Sequence, residues 1–123
     1  GSVNMSQENE RVCINVLDRN GAVGIFGLLE QKDFPIYCVS GFALTALGYS
    51  FAELMKRTDG FFVELLHEDD RRRFIEEFYE KGKKRKYRMI RKNGDTVTAT
   101  TYSADTKLAD GGKAKMLSIR VES

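Results

Sequence analysis

The dipeptide Asn93-Gly94 constrains this chain more than any other feature. It joins two runs with strand character, Lys83 to Lys92 and Asp95 to Leu108. Asn-Gly between such runs is the strongest short hairpin signal, because both residues accept the positive φ of a tight antiparallel turn. Asp110-Gly111-Gly112 then turns the chain once more, into Lys113 to Val121. In that last run Leu117, Ile119 and Val121 alternate with Ser118, Arg120 and Glu122. One face is dry and one wet, as an antiparallel sheet with a single covered face requires.

Upstream there are two more strand-like runs, Ala22 to Leu29 and Ile36 to Val39, separated by the polar turn Glu30 to Phe34 and by Pro35. The helical material follows. Phe42, Leu44, Ala46 and Leu47 give a short helix its apolar contacts, and Gly48 tolerates the positive φ that stops it. Ser50 with Glu53 reads as a capping box opening a second helix. Thr58-Asp59-Gly60 is a break, and Phe61 to Leu66 a compact apolar turn or helix. The longer helix runs from Asp70 to Lys81, with Phe74 and Phe78 one turn apart on its inner side and Gly82 at its end. Its acidic approach, Glu68, Asp69 and Asp70, suits the positive end of the helix dipole and reads as a solvated helix start. Ahead of everything, Ser6 to Leu17 reads as a helix with Val12, Cys13, Val16 and Leu17 as its apolar stripe. This order predicts an α+β fold, a five-stranded antiparallel sheet with short helices packed on one face.

Composition removes several function classes. With 123 residues, 41% apolar and 31% charged, the chain has the make-up of one soluble domain. No apolar run approaches the roughly 20 residues of a membrane helix. Cys13 and Cys38 are the only cysteines and read as two buried reduced thiols of a cytoplasmic domain. No ligand cluster suggests a metal, and His67, the one histidine, serves best as a brace for the helix it precedes. No catalytic arrangement can be assembled around it, so the chain reads as a non-enzyme. Lys81, Lys83, Lys84, Arg85, Lys86, Arg88, Arg91 and Lys92 form a basic run. A nucleic-acid or acidic-partner surface across Lys81 to Lys92 is one reading of it. A solvated hairpin with edge-protecting lysines is the preferred one.

Three segments carry a family resemblance. Ser40, Phe42, Leu47, Gly48, Tyr49, Ser50, Glu53 and Leu54 match the pattern v-S-x-x-F-x-x-L-x-G-Y-S-x-x-E-L. Leu65-Leu66-His67, the acids after it and Arg71 match l-l-H-P-x-D-R, with Glu68 in place of the proline. Tyr87 to Gly94 matches y-R-x-x-r-k-d-G. In this order and spacing the chain resembles the PAS domain family over Ala22 to Val121. The divisions implied are a leader at 1–5 with Gly1-Ser2 as a tag-cleavage scar, a flanking helix at 6–20, and the PAS domain at 22–121.

The resemblance implies a sensory or regulatory module of a larger signalling protein. Such a module passes a signal through its flanking helices to a covalently linked output domain, a histidine kinase or a cyclic-dinucleotide enzyme, that is not among these residues. A homodimer is expected, with Val12, Val16 and Leu17 in its interface. Alternation along the strands, with Phe74 and Phe78 facing them from the helix, makes Tyr87, Met89, Ala99, Thr101, Leu117 and Ile119 the further candidates for lining a small-ligand pocket. Thr101 and the Tyr87 hydroxyl are its few polar points. Light-sensing relatives use a cysteine that Arg57 to Leu66 lacks, and asparagines where Met89 and Ala99 stand. Haem-binding relatives use a histidine in or near the long helix. No haem or flavin is therefore expected, and the protein should be colourless. The alternative is a ligand-free dimerisation or protein-interaction module.

Overall fold

The computed structural model describes residues 12–13, 16–18, 21–80 and 83–122. The strands are β1 (Val12–Cys13), β2 (Val16–Asp18), β3 (Gly21–Leu29), β4 (Ile36–Ser40), β5 (Arg85–Ile90), β6 (Thr96–Lys107) and β7 (Lys113–Val121). The helices are α1 (Gly41–Leu47), α2 (Phe51–Thr58) and α3 (Glu68–Glu77), with a 3₁₀ turn at Phe62–Leu65. Neighbours in the sheet run β1-β4-β3-β7-β6-β5, and β2 pairs with β3 off that path. Strands β4, β3, β7, β6 and β5 pair antiparallel throughout and form the expected five-stranded sheet. The last strand in sequence, β7, is thus its middle strand.

Both late hairpins carry three residues between their closing partners, where the sequence suggested two at Asn93-Gly94. Arg91 N–H donates to Asp95 O (2.7 Å) and Gly94 N–H to Arg91 O (2.9 Å). Gly94 takes φ 93°, which closes a turn that a side chain would strain. The Leu108–Gly112 turn repeats these bonds.

The N-terminal helix expected at Ser6–Leu17 is corrected where the chain is described. Val12–Cys13 pairs parallel to β4, and Val16–Asp18 pairs antiparallel to β3. Val12, Ile14 and Val16 are β-branched at every second position. That is a strand periodicity, and β-branched residues favour strands. The remaining residues of 1–20 lie outside the described ones. Cys38 is also corrected, because it is disulfide-bonded rather than a reduced thiol. Parallel pairing sets the backbone of Cys13, the chain's other cysteine, opposite Ser40, beside the strand that holds Cys38.

Helices α1 and α2 are built by their caps. Ser40 Oγ is buried and accepts from Ala43 N–H (3.3 Å) and Ile25 N–H (2.8 Å), so one hydroxyl starts α1 and ties it to β3. Gly48 ends α1 at φ 83°, as expected. At α2 the capping box is complete: Ser50 Oγ accepts from Glu53 N–H (3.1 Å), and Glu53 Oε1 accepts from Ser50 N–H (2.8 Å). Lys92 Nζ adds an ion pair to Glu53 at 2.5 Å. The Lys92 bond, followed by the Ser50 backbone, lowers the Glu53 pKa from 4.5 to about 2. A depressed carboxylate stabilises the fold above its unfolded pKa and loses that contribution as pH falls through the folded one. Thermal melts between pH 4.5 and 2 should therefore show a smaller acid loss for Glu53→Gln than for the unaltered chain, while Ser50→Ala should cost about 1 kcal/mol. Parallel acid profiles for Glu53→Gln and the unaltered chain would contradict it.

Helix α3 stops at Glu77, earlier than the Lys81 expected, and Phe78 turns inward onto the core. Its first turns close the outer edge of β5. His67 N–H donates to Arg88 O (2.9 Å), Asp70 Oδ2 accepts Arg88 N–H (2.7 Å), and Arg73 Nη2 donates to Lys86 O (2.6 Å). These bonds occupy an edge that would otherwise pair with another strand.

Candidate ligand-binding clefts

The covered face of the sheet brings together every pocket residue expected from the sequence. Phe74, Phe78, Tyr87, Met89, Ala99, Thr101, Leu117 and Ile119 are all buried. They pack on one another rather than around an opening. Phe74 meets Phe34, Phe62, Phe78 and Tyr87 at centroid separations of 5.1 to 5.8 Å. Phe34 stacks on Phe78 at 4.0 Å. The small crevice where Phe74, Phe78, Tyr87, Thr101 and Leu117 meet Glu77, Glu80, Lys83, Arg85 and Ser103 measures about 20 Å³, room for about one water. The two hydroxyls expected as polar points of a pocket are already engaged. Tyr87 OH donates to Glu77 Oε1 (2.7 Å) and Thr101 Oγ1 to Arg85 O (3.1 Å). Burial, and then Glu77 beside it, raise the Tyr87 pKa well above the usual phenol range.

Phe34 is a wall residue that sequence reasoning missed. It falls in the polar turn before Pro35, adopts φ 55°, and is only 4% exposed. A bulky residue at positive φ is rare. Here the aromatic cluster holds it, and its backbone N–H donates to Gln31 O at 3.0 Å.

Asp70 is corrected as well. It is buried, not part of a solvated helix start, and it takes three bonds from Arg88: backbone N–H (2.7 Å), Nε (3.2 Å) and Nη2 (2.8 Å). The Arg88 side chain lowers its pKa, against the opposing effect of burial. Three further cations of the basic run also meet acids. Arg85 pairs with Glu77 and Glu80, Lys86 with Glu122, and Lys92 with Glu53. His67 does what the sequence suggested, its Nδ1 accepting from Asp69 N–H at 3.1 Å to cap α3. Among the described residues no group of His, Cys, Asp and Glu is placed to hold a metal ion.

The roomier openings lie elsewhere. One, of about 470 Å³, sits between Tyr79 and the β6–β7 hairpin, and its lining includes Glu30, Asp105, Lys107, Lys113 and Lys115. Lys115 shares the inward parity of Leu117 and Ile119, and its side chain is 1% exposed. Its ammonium pairs with Asp105 Oδ1 at 3.3 Å and stands 4.8 Å from the Phe78 ring centroid.

A family model described as PAS fold matches residues 36–120, more than half of the chain. The chain belongs to the PAS family. A PAS domain from Desulfitobacterium hafniense superposes with a TM-score of 0.63 at 14% identity, covering 80% of this chain and 92% of that one. A fungal LOV domain photoreceptor superposes at 0.64 and 15% identity, covering 99% and 91%. A light-oxygen-voltage domain studied with a flavin analogue superposes at 0.54 and 16% identity, covering 100% and 86%. No curated protein matches the chain.

These neighbours overturn the expectation that a flavin is excluded. That expectation rested on a missing cysteine and on Met89 and Ala99, but a cysteine that reacts with a ring is not what holds the ring. The same fold is found in a light-oxygen-voltage domain studied with a flavin analogue. In the packing seen here the crevice of about 20 Å³ beside Phe74 and Phe78 does not fit a ring system.

Proposed function

We propose that this domain is a sensory and regulatory module, itself without catalysis, that converts a change in packing under its sheet into a signal for a linked output domain. A histidine kinase or a cyclic-dinucleotide enzyme is the output class that fits, and the module acts as a homodimer of a cytoplasmic signalling protein. One observation carries the reading. Strand β7 is bonded on both sides, to β3 and to β6, and its Leu117 and Ile119 side chains form part of the covered core. A rearrangement of the aromatic cluster therefore bears directly on the final strand, as a two-state regulatory element requires. No helix among the described residues is long and apolar enough to cross a membrane.

The test is a chimera in which this chain replaces the PAS domain of a histidine kinase. Ile119→Val, which removes one buried methylene, should alter autophosphorylation by about fivefold or more while the domain stays folded. Equal rates for both chimeras would favour a static dimerisation module, which the closed interior also suits.

A further inference from the structure

The cleft beside the β6–β7 hairpin has a charge arrangement that the fold alone does not explain. An ammonium has three donors to satisfy, and a buried one is costly unless it is paired and hydrogen-bonded. Lys115 is 1% exposed, yet the ion pair it makes is with Asp105, a carboxylate 45% exposed, at 3.3 Å. That is longer than the roughly 2.7–2.9 Å of a charge-assisted bond. Its other close neighbours are the faces of Phe78 and Tyr79, at 4.8 and 5.8 Å. On the same hairpin Lys107 is the direct cross-strand partner of Lys113. Like charges placed opposite one another destabilise a sheet. All three lysines line one opening of about 470 Å³, against the carboxylates of Glu30 and Asp105. The Tyr79 ring on its wall is 64% exposed and offers a flat apolar surface at the same opening.

We infer that this cleft binds a small organic anion, its carboxylate drawn to Lys115 and the Lys107–Lys113 pair and its flat body laid on Tyr79. An anion there adds a close acceptor to the long Asp105 contact of Lys115 and relieves the repulsion between the two hairpin lysines. The volume suits a molecule of one or two rings, within the range of small-ligand sites. Asp105 competes for the same ammonium, so it sets affinity by opposing the ligand. Binding is read on the isolated chain and does not depend on any output domain.

The experiment is an amide-shift titration of the whole chain with benzoate, and with benzyl alcohol as the neutral counterpart of similar shape. Benzoate should give saturable shifts at Glu30, Tyr79 and the Asp105–Lys115 hairpin, and benzyl alcohol at least about tenfold weaker ones. Lys115→Met should weaken benzoate by about tenfold or more, whereas Asp105→Asn should tighten it. If Lys115→Met does not fold, the exposed Asp105→Asn decides: tighter binding supports the site, and unchanged or weaker binding overturns it. Equal responses to benzoate and benzyl alcohol, no saturable shift, or a folded Lys115→Met that binds benzoate normally would each overturn it.

Discussion

Phe74→Ala should cost about 3–5 kcal/mol of folding free energy and lower Tm by roughly 15–30 °C. Phe74 is 2% exposed and touches four other rings, so truncation forfeits its own burial and leaves a void that those rings must close. The aromatic edges add to area burial, since T-shaped and tilted pairs gain about 0.5–1.5 kcal/mol beyond it. Urea unfolding followed by near-ultraviolet dichroism measures the change. A loss under about 1 kcal/mol would show that the cluster is loosely packed and that the space under the sheet is an open pocket.

Asp70→Ala should cost about 2–3 kcal/mol, more than an ordinary surface ion pair. The carboxylate holds both the Arg88 guanidinium and the Arg88 backbone N–H at the edge of β5. Its removal orphans a main-chain donor as well as a charge. Arg88→Ala alone should cost less, because the guanidinium is 43% exposed while its backbone bond to Asp70 survives. The pH dependence follows from the lowered Asp70 pKa. The contribution is full above the ordinary value of 3.8 and fades as pH falls through the depressed one, so Asp70→Asn should lose less stability in acid than the unaltered protein. A double-mutant cycle giving no coupling between Asp70 and Arg88 would contradict this account.

Much of the fold was legible because it is local. Alternation in β7 and the turn residues Asn93-Gly94 and Asp110-Gly111 need no distant partner to be read, and Ser50 with Glu53 caps its helix within one turn. The errors came where the partner is remote. Val12, Val16 and Leu17 carry a spacing that suits a helix stripe while Val12, Ile14 and Val16 alternate as a strand does, and pairing with β4 and β3 decides between the two. Asp70 looked solvated because Arg88, which buries it, lies eighteen residues further along. Lys115 kept the parity of Leu117 and Ile119, but its charge hid that parity; rings from the end of α3 cover it. Phe34 offered one signal, an aromatic residue next to proline inside a polar turn. For the candidate site the face was readable and its state was not. Alternation names the residues that look inward, whereas whether they meet one another or a ligand depends on volumes supplied by Phe34 and Phe62.

If the aromatic cluster and β7 form one cooperative unit, packing under the sheet reaches the last strand. Native-state hydrogen exchange at the Leu117 and Ile119 amides tests it most directly, comparing the unaltered chain with the mild variant Phe74→Leu. Opening free energies at both amides should fall by the same amount as the global stability. Unchanged protection in β7 while α3 and the Phe62–Leu65 turn loosen would contradict it.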